Sequence, residues 1–362
     1  MTRFLKLHYH FTIWTRNHDW GESQVFAEEA MVATRKDENL DIDYLDSLRS
    51  GFFSWVDRLR EERFDVVYLN SLFSWKFSIK YLIMRRLNLV PDSRVILAVR
   101  GELSPGARRI RGFKKSCFLW LASIVGLYDG VVFQASSELE KKDILNFLSI
   151  HHLEPEVRVA SDLIWIGIDE EIGAIRKEPG ELKIVFLSRI TPMKNLETVI
   201  EALAHISTPV TLDIYGPLSE DKDAGYFASC MEQANALPKQ HRVEYRGVVS
   251  ADRVISVLSQ YHVLFLPTRG ENFGHIILEA LQAGCVPLIS DKTPWSDMDK
   301  EGAGVVVQGD HYKGYVAALE KMIQKDESEW TAYRSAMNRY LDRKLTLINQ
   351  IDPYVDLLGS EN

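Results

Sequence analysis

The chain has 362 residues, of which 46% are hydrophobic and 26% are charged. This composition excludes a disordered or fibrous chain, and the length predicts two domains, or three, at roughly 100–200 residues per domain. The 51 acidic residues outnumber the 43 basic ones and give a net charge of −8, which excludes a protein that binds nucleic acid through its overall charge. The three cysteines (Cys117, Cys230 and Cys285) are far apart and show no CxxC spacing, so neither a disulfide framework nor a zinc site is indicated.

Short β-rich runs alternate with helical patterns along nearly the whole chain, which predicts an α/β fold built from doubly wound parallel sheets. The runs at 95–99 and 184–187 are continuously apolar, as strands buried on both faces of a parallel sheet must be. Apolar residues at helical spacing (Leu196, Val199, Ile200 and Leu203) predict a helix between two of the strands. In chain order, the predicted strands are 8–15, 64–69, 94–99, 130–134, 157–160, 182–187, 211–215, 243–246, 262–266, 286–290 and 304–307.

The domain boundaries follow from the polar stretch 169–180, which contains paired charges and a Pro-Gly step and is typical of a linker. We therefore predict an N-terminal domain over 1–165, a linker over 166–180 and a C-terminal domain over 181–335. The segment 336–362 is expected to form a helical tail that crosses back to the N-terminal domain.

The N-terminus lacks the apolar core of a signal peptide, and the longest largely apolar run, 117–128, is too short to cross a bilayer. These features predict a cytoplasmic protein. A basic cluster precedes the apolar run, so this region could rest on an anionic membrane surface. We favour a core helix with a solvated basic start instead, because Gly126 and Asp129 end the run as they would end an ordinary helix. The basic cluster consists of Arg108, Arg109, Arg111, Lys114 and Lys115.

Two cations follow the predicted strand 182–187. Arg189 stands at its carboxyl end, and Lys194 stands at the start of the next helix, for which Asn195 is the predicted N-cap. A guanidinium, an ammonium and a helix N-terminus together could hold a diphosphate. Two surface cations beside a loop would give the same pattern.

A second group of residues follows the predicted strand 262–266. Glu271 ends the turn before a helix, and Glu279 lies inside that otherwise apolar helix. A buried carboxylate needs hydrogen-bond partners, and sugar or ribose hydroxyls could supply them. Gly270 and Gly274 bracket the turn, where a missing Cβ lets a ligand approach the backbone N–H groups. We favour this interpretation over a carboxylate that only caps neighbouring amides.

Two further glycines, Gly216 and Gly247, each follow a predicted strand and could admit a nucleoside against the backbone, although turn glycines more often only turn the chain. Other kinds of site lack support. No strand is followed by GxGxxG, and the chain has no P-loop, HExxH or GxSxG motif.

The second half resembles glycosyltransferase family 4, whose members have the GT-B fold. The matching segments are 186–189 with Lys194 and Asn195, 213–216, 245–247 and 267–284. Glu271 and Glu279 reproduce the Glu-x7-Glu spacing of retaining enzymes in that family. The first half is similar more loosely, through the segments 68–73 and 99–107, which include Asn70, Arg100 and Gly101.

The resemblance implies two Rossmann-like domains that face a cleft, and the transfer of a sugar from a nucleotide-sugar to an acceptor hydroxyl with retention and without a metal. Arg189 and Lys194 would neutralise the diphosphate, while Glu271 would orient the donor sugar as the third catalytic residue. Glu279 would hold the ribose, and Gly216 and Gly247 would lie against the donor. The backbone of Asn272, Phe273, Gly274 and His275 would complete the donor site.

The resemblance further implies acceptor-side residues at Asn70, Arg100 and Gly101, no cofactor beyond a UDP- or GDP-sugar co-substrate, and a cell-surface glycan or lipid-linked acceptor. The protein would then work in the cytoplasm, with peripheral contact at the inner membrane face.

Departures from the family pattern also carry expectations. The first glycine of the chain is Gly21, so about one βα unit is missing ahead of the first strand relative to the family, either because the true start lies upstream or because the chain is a shortened form. The loss would remove a phosphate contact and expose an edge of the first sheet. Arg100 and Asp162 stand where family members carry a histidine and an asparagine.

The missing unit motivates an alternative, a catalytically weakened or inactive relative that serves as a partner subunit and binds nucleotide only. A sugar-nucleotide epimerase of related fold fits the Arg–Lys and Glu-x7-Glu pairs less well.

Overall fold

The computed structural model describes residues 2–17, 39–45, 51–104, 112–163, 173, 175–218, 224–309, 311–348 and 351–359. Gly21, the segment 105–107 and the arginines of the predicted basic cluster (Arg108, Arg109 and Arg111) lie outside these ranges, as does most of the predicted linker. The chain divides into two compact units, one formed by 1–164 with 348–362 and the other by 165–347.

Every described strand pairs in parallel with its neighbours. The strands are β1 (Phe11–Arg16), β2 (Leu40–Leu45), β3 (Val66–Asn70), β4 (Arg94–Ala98), β5 (Val131–Ala135), β6 (Glu156–Val159), β7 (Lys183–Leu187), β8 (Thr211–Tyr215), β9 (Arg242–Gly247), β10 (Val263–Leu266), β11 (Val286–Ser290) and β12 (Val305–Val307). All eleven predicted strands are present within a few residues, and β2 is an additional one. Its sequence, Leu-Asp-Ile-Asp-Tyr-Leu, alternates apolar residues with aspartate, which is disfavoured in strands.

Helices connect the strands and cover the sheets. They are α1 (Thr2–Leu5), α2 (Phe52–Glu61), α3 (Lys80–Arg86, which continues a π-helical turn at Trp75–Ile79), α4 (Gly112–Ile124), α5 (Glu138–Ser149), α6 (Leu196–Leu203), α7 (Ala224–Asn235), α8 (Val254–Leu258), α9 (His275–Gln282), α10 (Tyr312–Gln324), α11 (Glu327–Ile348) and α12 (Asp352–Leu358). Short 3-10 turns lie at Ala251–Arg253 and Met298–Glu301.

The first unit contains two pieces of parallel sheet, the pair β1-β2 and the four strands β3-β4-β5-β6. One core cluster includes Trp55, Leu69 and Val95, and a second includes Leu5, Ile96 and Tyr354. Because Ile96 and Val95 are neighbours on β4, the two clusters cover opposite faces of that strand. The final helix α12 belongs to this unit, where Tyr354 receives a hydrogen bond from the side chain of Gln134.

The second unit contains one six-stranded sheet in the order β12-β11-β10-β7-β8-β9. The sheet grows from β7 toward β9 in one direction and from β10 toward β12 in the other, so the strand order reverses between β7 and β10. In open parallel sheets, ligands bind outside the carboxyl ends of the strands at such a switch point.

Residues 175–180, which fall in the segment predicted as a linker, are held against the second unit. Lys177 is fully buried, and its ammonium donates hydrogen bonds to the carbonyls of Glu178, Ile323 and Lys325. Its backbone N–H donates to Glu327. This part of the chain is therefore fixed on the end of α10.

Helix α4 differs from the core helix expected at this position. Leu119 and Ala122 are buried, but Phe113, Trp120 and Ile124 are 83%, 59% and 62% exposed, as is much of Leu121. The helix therefore has an apolar face toward the outside as well as one toward the core. The helix contributes Leu119 and Ala122 to the core, as the core-helix prediction expects, but that prediction did not include the exposed apolar face, because apolar periodicity around a helix does not show which stripe finds a partner.

Candidate functional site

The loops after β7 and β10 meet at the switch point of the second sheet, since β7 and β10 are neighbours. The Met193 carbonyl accepts hydrogen bonds from the backbone N–H of Arg269 (2.9 Å) and from the Thr268 hydroxyl (3.2 Å). The Asn195 amide donates to the Pro267 carbonyl at 3.0 Å. These bonds cross between the two loops and hold them in one arrangement.

Asn195 stands at the predicted N-cap position of α6, but it does not cap the helix with its side chain. Its backbone is left-handed (φ 63°), and its side-chain oxygen accepts a hydrogen bond from the Thr198 hydroxyl rather than from a backbone N–H. The residue is fully buried and ties the start of α6 to the neighbouring loop. Its role is therefore to join the loops.

Lys194 and Glu271 form an ion pair across the same two loops, with Nζ 2.5 Å from Oε2. Their side chains are only 11% and 13% exposed, so this pair is largely removed from water. Residues 77 positions apart in the sequence thus share one location. The structure brings together two of the three predicted catalytic residues.

Arg189, the third predicted catalytic residue, is exposed. Within the described ranges, its guanidinium makes no hydrogen bond and no ion pair. It follows β7 by two residues, at the same edge of the sheet as the Lys194–Glu271 pair. A positive charge at this edge is therefore available to an anionic ligand.

Glu279 lies on α9 between the buried residues Leu278 and Ala280. Burial raises the pKa of its carboxyl above the ordinary value of 4.5. In the part of the chain that the structure describes, no group donates a hydrogen bond to this carboxylate. It is a half-buried acceptor that a donor from outside the protein could satisfy.

Helix α9 begins at Gly274, whose backbone is left-handed (φ 81°). A Cβ at this position would lie 3.0 Å from Cγ of Glu271 and 3.2 Å from the indole nitrogen of Trp295. The Trp295 indole donates a hydrogen bond to the Phe273 carbonyl at 2.5 Å. Glycine thus allows Glu271 to pack directly against the start of the helix.

The side chains of Phe273 and His275 lie beside each other, with ring centroids 4.7 Å apart, and Phe273 is buried while His275 is exposed. Asn272 is partly buried next to them. These predicted donor-binding residues therefore form a continuous segment from Glu271 into the first turn of α9.

Gly216 and Gly247 are neighbours in the structure and are hydrogen-bonded to each other through their backbones. The Gly216 N–H donates to the Gly247 carbonyl at 2.9 Å, and a Cβ on Gly216 would overlap the Ser188 carbonyl oxygen. The close approach of the chain after β7 therefore accounts for glycine at 216. A Cβ on Gly247 would meet open space, although its φ of 85° also favours glycine.

The predicted acceptor-side residues lie on the first unit, at the carboxyl ends of β3 and β4. Arg100, in left-handed backbone (φ 55°), donates to Asn70 at 3.2 Å, to the Tyr68 hydroxyl at 3.3 Å and to the Asp162 carboxylate. The Gly101 N–H donates to Glu140 at 2.6 Å. The structure thus brings Arg100 and Asn70 together and adds Tyr68 and Asp162 to them.

Sequence reasoning missed several residues that build the second-unit site. Arg269 donates to the Pro192 carbonyl (2.8 Å) and to Glu197, while the Ser290 hydroxyl holds the Thr268 carbonyl at 2.5 Å. Thr268 and Ser290 are fully buried polar residues at strand ends. A polar residue at the end of a predicted strand was the sequence signal that could have identified Thr268 and Ser290.

Among the described residues, no group of three His, Cys, Asp or Glu side chains is placed to hold a metal ion.

Residues 167–339 match the model of the family described as glycosyl transferases group 1. The matched region covers just under half of the chain, and it resembles the group 1 glycosyltransferases. The resemblance drawn from the sequence motifs is confirmed here, and the region includes β7 to β12 with every predicted site residue of the second unit.

Curated relatives align with part of the chain. The GDP-mannose:cellobiosyl-diphosphopolyprenol alpha-mannosyltransferase of Xanthomonas oryzae pv. oryzae is 27% identical over 124 residues, 33% of each chain. The D-inositol 3-phosphate glycosyltransferase of Rhodococcus erythropolis is 23% identical over 161 residues, 43% of this chain and 36% of that protein. The chain thus spans about a third of the length of these relatives.

Solved structures resemble nearly the whole chain. Sucrose-phosphate synthase from Thermosynechococcus elongatus has a TM-score of 0.69 at 13% identity, covering 98% of this chain and 88% of the other. Anabaena Alr3699/HepE in complex with UDP and glucose has a TM-score of 0.69 at 14% identity, covering 97% and 99%. At this identity the likeness shows the fold alone, and the predicted GT-B fold is confirmed.

Proposed function

We propose that the protein is a glycosyltransferase that moves a sugar from a nucleotide-sugar donor to a hydroxyl of a cell-surface polysaccharide or glycolipid precursor. The single observation that carries this proposal is the Lys194–Glu271 pair, which joins two loops at the switch point of the second sheet within the region that matches the family. The Xanthomonas relative is named for a GDP-mannose donor and a polyprenol-linked acceptor, which supports both substrate classes.

The donor diphosphate would lie at the carboxyl edge of β7. The Arg189 guanidinium is free to bind it in fork geometry, and Lys194 adds a second positive charge. As the bond between sugar and phosphate breaks, negative charge grows on the departing diphosphate, and preorganised cations stabilise that charge. We assign this role to the two cations, without a metal.

The two glutamates would hold the rest of the donor. The Glu279 carboxylate, which has no hydrogen-bond partner in the described part of the chain, would accept from the ribose hydroxyls. Glu271, fixed by Lys194 and by the start of α9, would orient the donor sugar together with the backbone at 272–275. The acceptor proton would pass to the departing phosphate, which is consistent with retention.

The acceptor would be recognised by the first unit, where Asn70, Arg100 and Gly101 lie at the carboxyl edge of the sheet. No cofactor enters this scheme beyond the co-substrate, which is a UDP- or GDP-sugar. The Anabaena structure with UDP and the GDP-mannose-named relative support testing both bases.

The test is a panel of UDP- and GDP-sugars, with release of the nucleoside diphosphate as the measurement. Arg189→Ala and Glu279→Gln should each reduce kcat/KM by about 10²–10³-fold, because each removes a contact to the donor. Arg339→Ala and Glu320→Gln, which replace exposed residues of α11 and α10, are the matched controls and should retain the activity.

Equal turnover in all four variants would contradict the donor site. Calorimetric binding of a nucleoside diphosphate without sugar transfer would instead favour the nucleotide-binding partner subunit. Retention is tested separately by NMR of the product: an α-linked product from an α-linked donor agrees with it, and a β-linked product contradicts it.

We further propose peripheral contact with an anionic membrane through the outer face of α4. Phe113, Trp120, Leu121 and Ile124 are exposed on it, and Lys114 supplies a positive charge at its start. No helix in the described ranges is long and apolar enough to span a membrane. Flotation with anionic vesicles should therefore recover the protein, and Trp120→Ser with Leu121→Ser should abolish this.

The matched control for the vesicle experiment is Phe53→Ser, which removes a comparably exposed aromatic residue from α2. Equal flotation of both variants, or equal recovery with neutral vesicles, would contradict contact through α4.

A further inference from the structure

The chain that follows β11 is hydrogen-bonded to the turn 271–274, which leads into α9. The backbone N–H of Glu271 donates to the Lys292 carbonyl at 2.9 Å. The Phe273 carbonyl accepts from the indole N–H of Trp295 at 2.5 Å. The turn that carries Glu271 is therefore bonded at both of its ends to the chain after β11.

The side chain of Trp295 is held in one position. It is only 1% exposed, and its ring contacts the rings of Phe273 and of Tyr340 on α11, with centroids 5.7 Å and 6.3 Å away. The backbone N–H of Trp295 donates to the Thr293 hydroxyl at 3.2 Å. Because other side chains enclose the ring, its N–H group keeps one direction.

Helix α11 fixes the residues on both sides of Trp295. The Asp297 carboxylate accepts from the Tyr340 hydroxyl at 2.6 Å and from the Lys344 ammonium at 3.0 Å. Lys344 also donates to the Pro294 carbonyl at 3.5 Å. Although burial raises the pKa of Asp297, the hydrogen bonds from Tyr340 and Lys344 hold it below the ordinary value of 3.8. The carboxylate is therefore charged at neutral pH and keeps both bonds.

The bond from Trp295 determines how the peptide group between Phe273 and Gly274 is oriented. In a planar trans peptide, the C=O and the N–H point in opposite directions. The Phe273 carbonyl points to Trp295, so the Gly274 N–H points away from it. Within the described ranges, no group of the protein accepts a hydrogen bond from that N–H. It is a donor that a ligand can use.

Glycine at position 274 makes the orientation of this peptide depend on Trp295. Gly274 has a φ of 81°, and glycine adopts positive and negative φ with similar ease. The peptide plane before it can therefore rotate at little cost unless a hydrogen bond holds it. Without the indole N–H, the Phe273 carbonyl would lose its partner, and the Gly274 N–H would lose its fixed direction.

We propose that Trp295 is a positioning residue for sugar transfer, and that its indole N–H aims the Gly274 N–H at a hydroxyl of the donor sugar. This inference rests on the proposed function, in which the backbone at 272–275 helps to orient that sugar. A donor that is already aimed needs no reorganisation as the bond between sugar and phosphate breaks. Because Trp295 is buried, it acts through the peptide and does not touch the sugar.

The experiment compares Trp295→Phe with Trp330→Phe in the full chain. Both tryptophans are fully buried in the second unit, but the Trp330 indole N–H has no hydrogen-bond partner among the described residues. The same replacement thus removes a hydrogen bond in one variant and none in the other. Trp295→Phe should reduce kcat for transfer by roughly tenfold or more, whereas Trp330→Phe should retain the wild-type kcat.

Calorimetry separates a loss of positioning from a general loss of structure. The probes are UDP with UDP-glucose and GDP with GDP-mannose. Trp295→Phe should leave the Kd of the nucleoside diphosphate within about twofold of wild type, because Arg189 and Lys194 are assigned to that part of the donor. The same variant should bind the nucleotide-sugar about threefold to tenfold more weakly, as expected when one hydrogen bond to the sugar is lost.

Tyr340→Phe tests the same series of contacts without changing Trp295. It removes the hydroxyl that donates to Asp297 and keeps the ring, so kcat should fall by only about twofold to fivefold, with an unchanged Kd for the nucleoside diphosphate. Tyr333→Phe on the same helix is the control and should have no effect, since the Tyr333 ring lies against Trp330 instead.

Equal kcat values in Trp295→Phe and Trp330→Phe, with a wild type that transfers sugar, would overturn the positioning role and leave the proposed function intact. Parallel losses of affinity for nucleoside diphosphate and nucleotide-sugar in Trp295→Phe would also overturn it. If Trp295→Phe does not fold, a wild-type kcat in Tyr340→Phe overturns it. A wild type that neither binds nucleotide nor transfers sugar would contradict the proposed function itself, and this inference with it.

Discussion

The carboxyl edges of the two sheets both carry charged residues, but these residues differ in whether other groups of the protein bind them. On the first unit, Arg100 is bound to Asn70, Tyr68 and Asp162, and the carboxylates of Glu102 and Glu140 accept from backbone N–H groups of neighbouring loops. On the second unit, Arg189 and Glu279 have no such partners among the described residues. Lys194 pairs with Glu271 beside them, and Arg269 pairs with Glu197.

The difference shows that a charged residue at a strand end indicates a ligand-binding site only when its partners within the protein are known. A charged group that the protein already satisfies mainly fixes its loops, whereas an unsatisfied one has its interaction free energy available for a ligand. By this measure the second edge is the stronger candidate for donor binding. The following predictions test that contrast.

The largest effect is expected for Gly216→Ala. The new methyl group would overlap the Ser188 carbonyl, so the free energy of unfolding should fall by about 3 kcal/mol or more. Gly247→Ala, where the methyl meets open space, should cost only about 1 kcal/mol of backbone strain. Urea unfolding of both variants measures the difference, and equal losses would contradict the close approach after β7.

Lys194→Ala should destabilise the second unit by about 3 kcal/mol, because it leaves the largely buried Glu271 carboxylate without its counter-charge. The double variant Lys194→Ala with Glu271→Ala should lose less than the sum of the two single variants. Additive losses in this double-mutant cycle would mean that the ion pair does not form in solution.

Two arginines test the contrast directly. Arg100→Ala should cost about 2 kcal/mol, because Asp162 and Asn70 lose their donors in a partly buried network. Arg189→Ala should change the free energy of unfolding by less than about 0.5 kcal/mol, since its side chain is exposed and makes no ion pair with the described residues. If Arg189→Ala lost more free energy of unfolding than Arg100→Ala, Arg189 would be the arginine that the protein itself binds, and the first sheet's edge would be the stronger candidate for donor binding.

The smallest effect is expected for Glu279→Gln, and it depends on pH. The folded protein holds the Glu279 proton more tightly than the unfolded chain does, because burial raises the pKa above 4.5. The free energy of unfolding of the wild type therefore falls as pH rises from about 4.5 through the raised pKa. The Glu279→Gln variant has no titratable carboxyl at this position, so its free energy of unfolding does not show this fall.

The Glu279→Gln variant should accordingly have a slightly higher Tm than the wild type at pH 7 and an equal Tm below about pH 4, although it binds nucleotide less well. Thermal unfolding across this pH range measures the difference. A variant that is less stable than the wild type at pH 7 would indicate that the carboxylate has an internal partner.

Much of the fold could be predicted because its signals are local. Strands such as β4 and β7 are apolar after their first residue, and the turns after them carry glycine or charge. The strand β2 escaped prediction because two aspartates alternate with its apolar residues. The outer face of α4 escaped it because apolar spacing alone does not reveal which stripe is covered.

The candidate site was predicted residue by residue but not as an arrangement. That Lys194 would pair with Glu271 depends on β7 lying beside β10, which follows from the order of strands in the sheet and not from either motif. Arg269 and Trp295 were missed for the same reason, since their roles consist of contacts with carbonyls from distant loops.

Two segments far apart in the sequence meet on the first unit, where the Tyr9 hydroxyl donates to the Gly359 carbonyl and Leu5 shares a core with Tyr354 and Leu357. The residues that complete this core are synthesised only after the entire second unit has been made. Although its first strands are synthesised early, the first unit can reach its native core only after that point. A nascent chain that pauses before residue 351 would therefore contain a complete second unit and a first unit that still depends on chaperones.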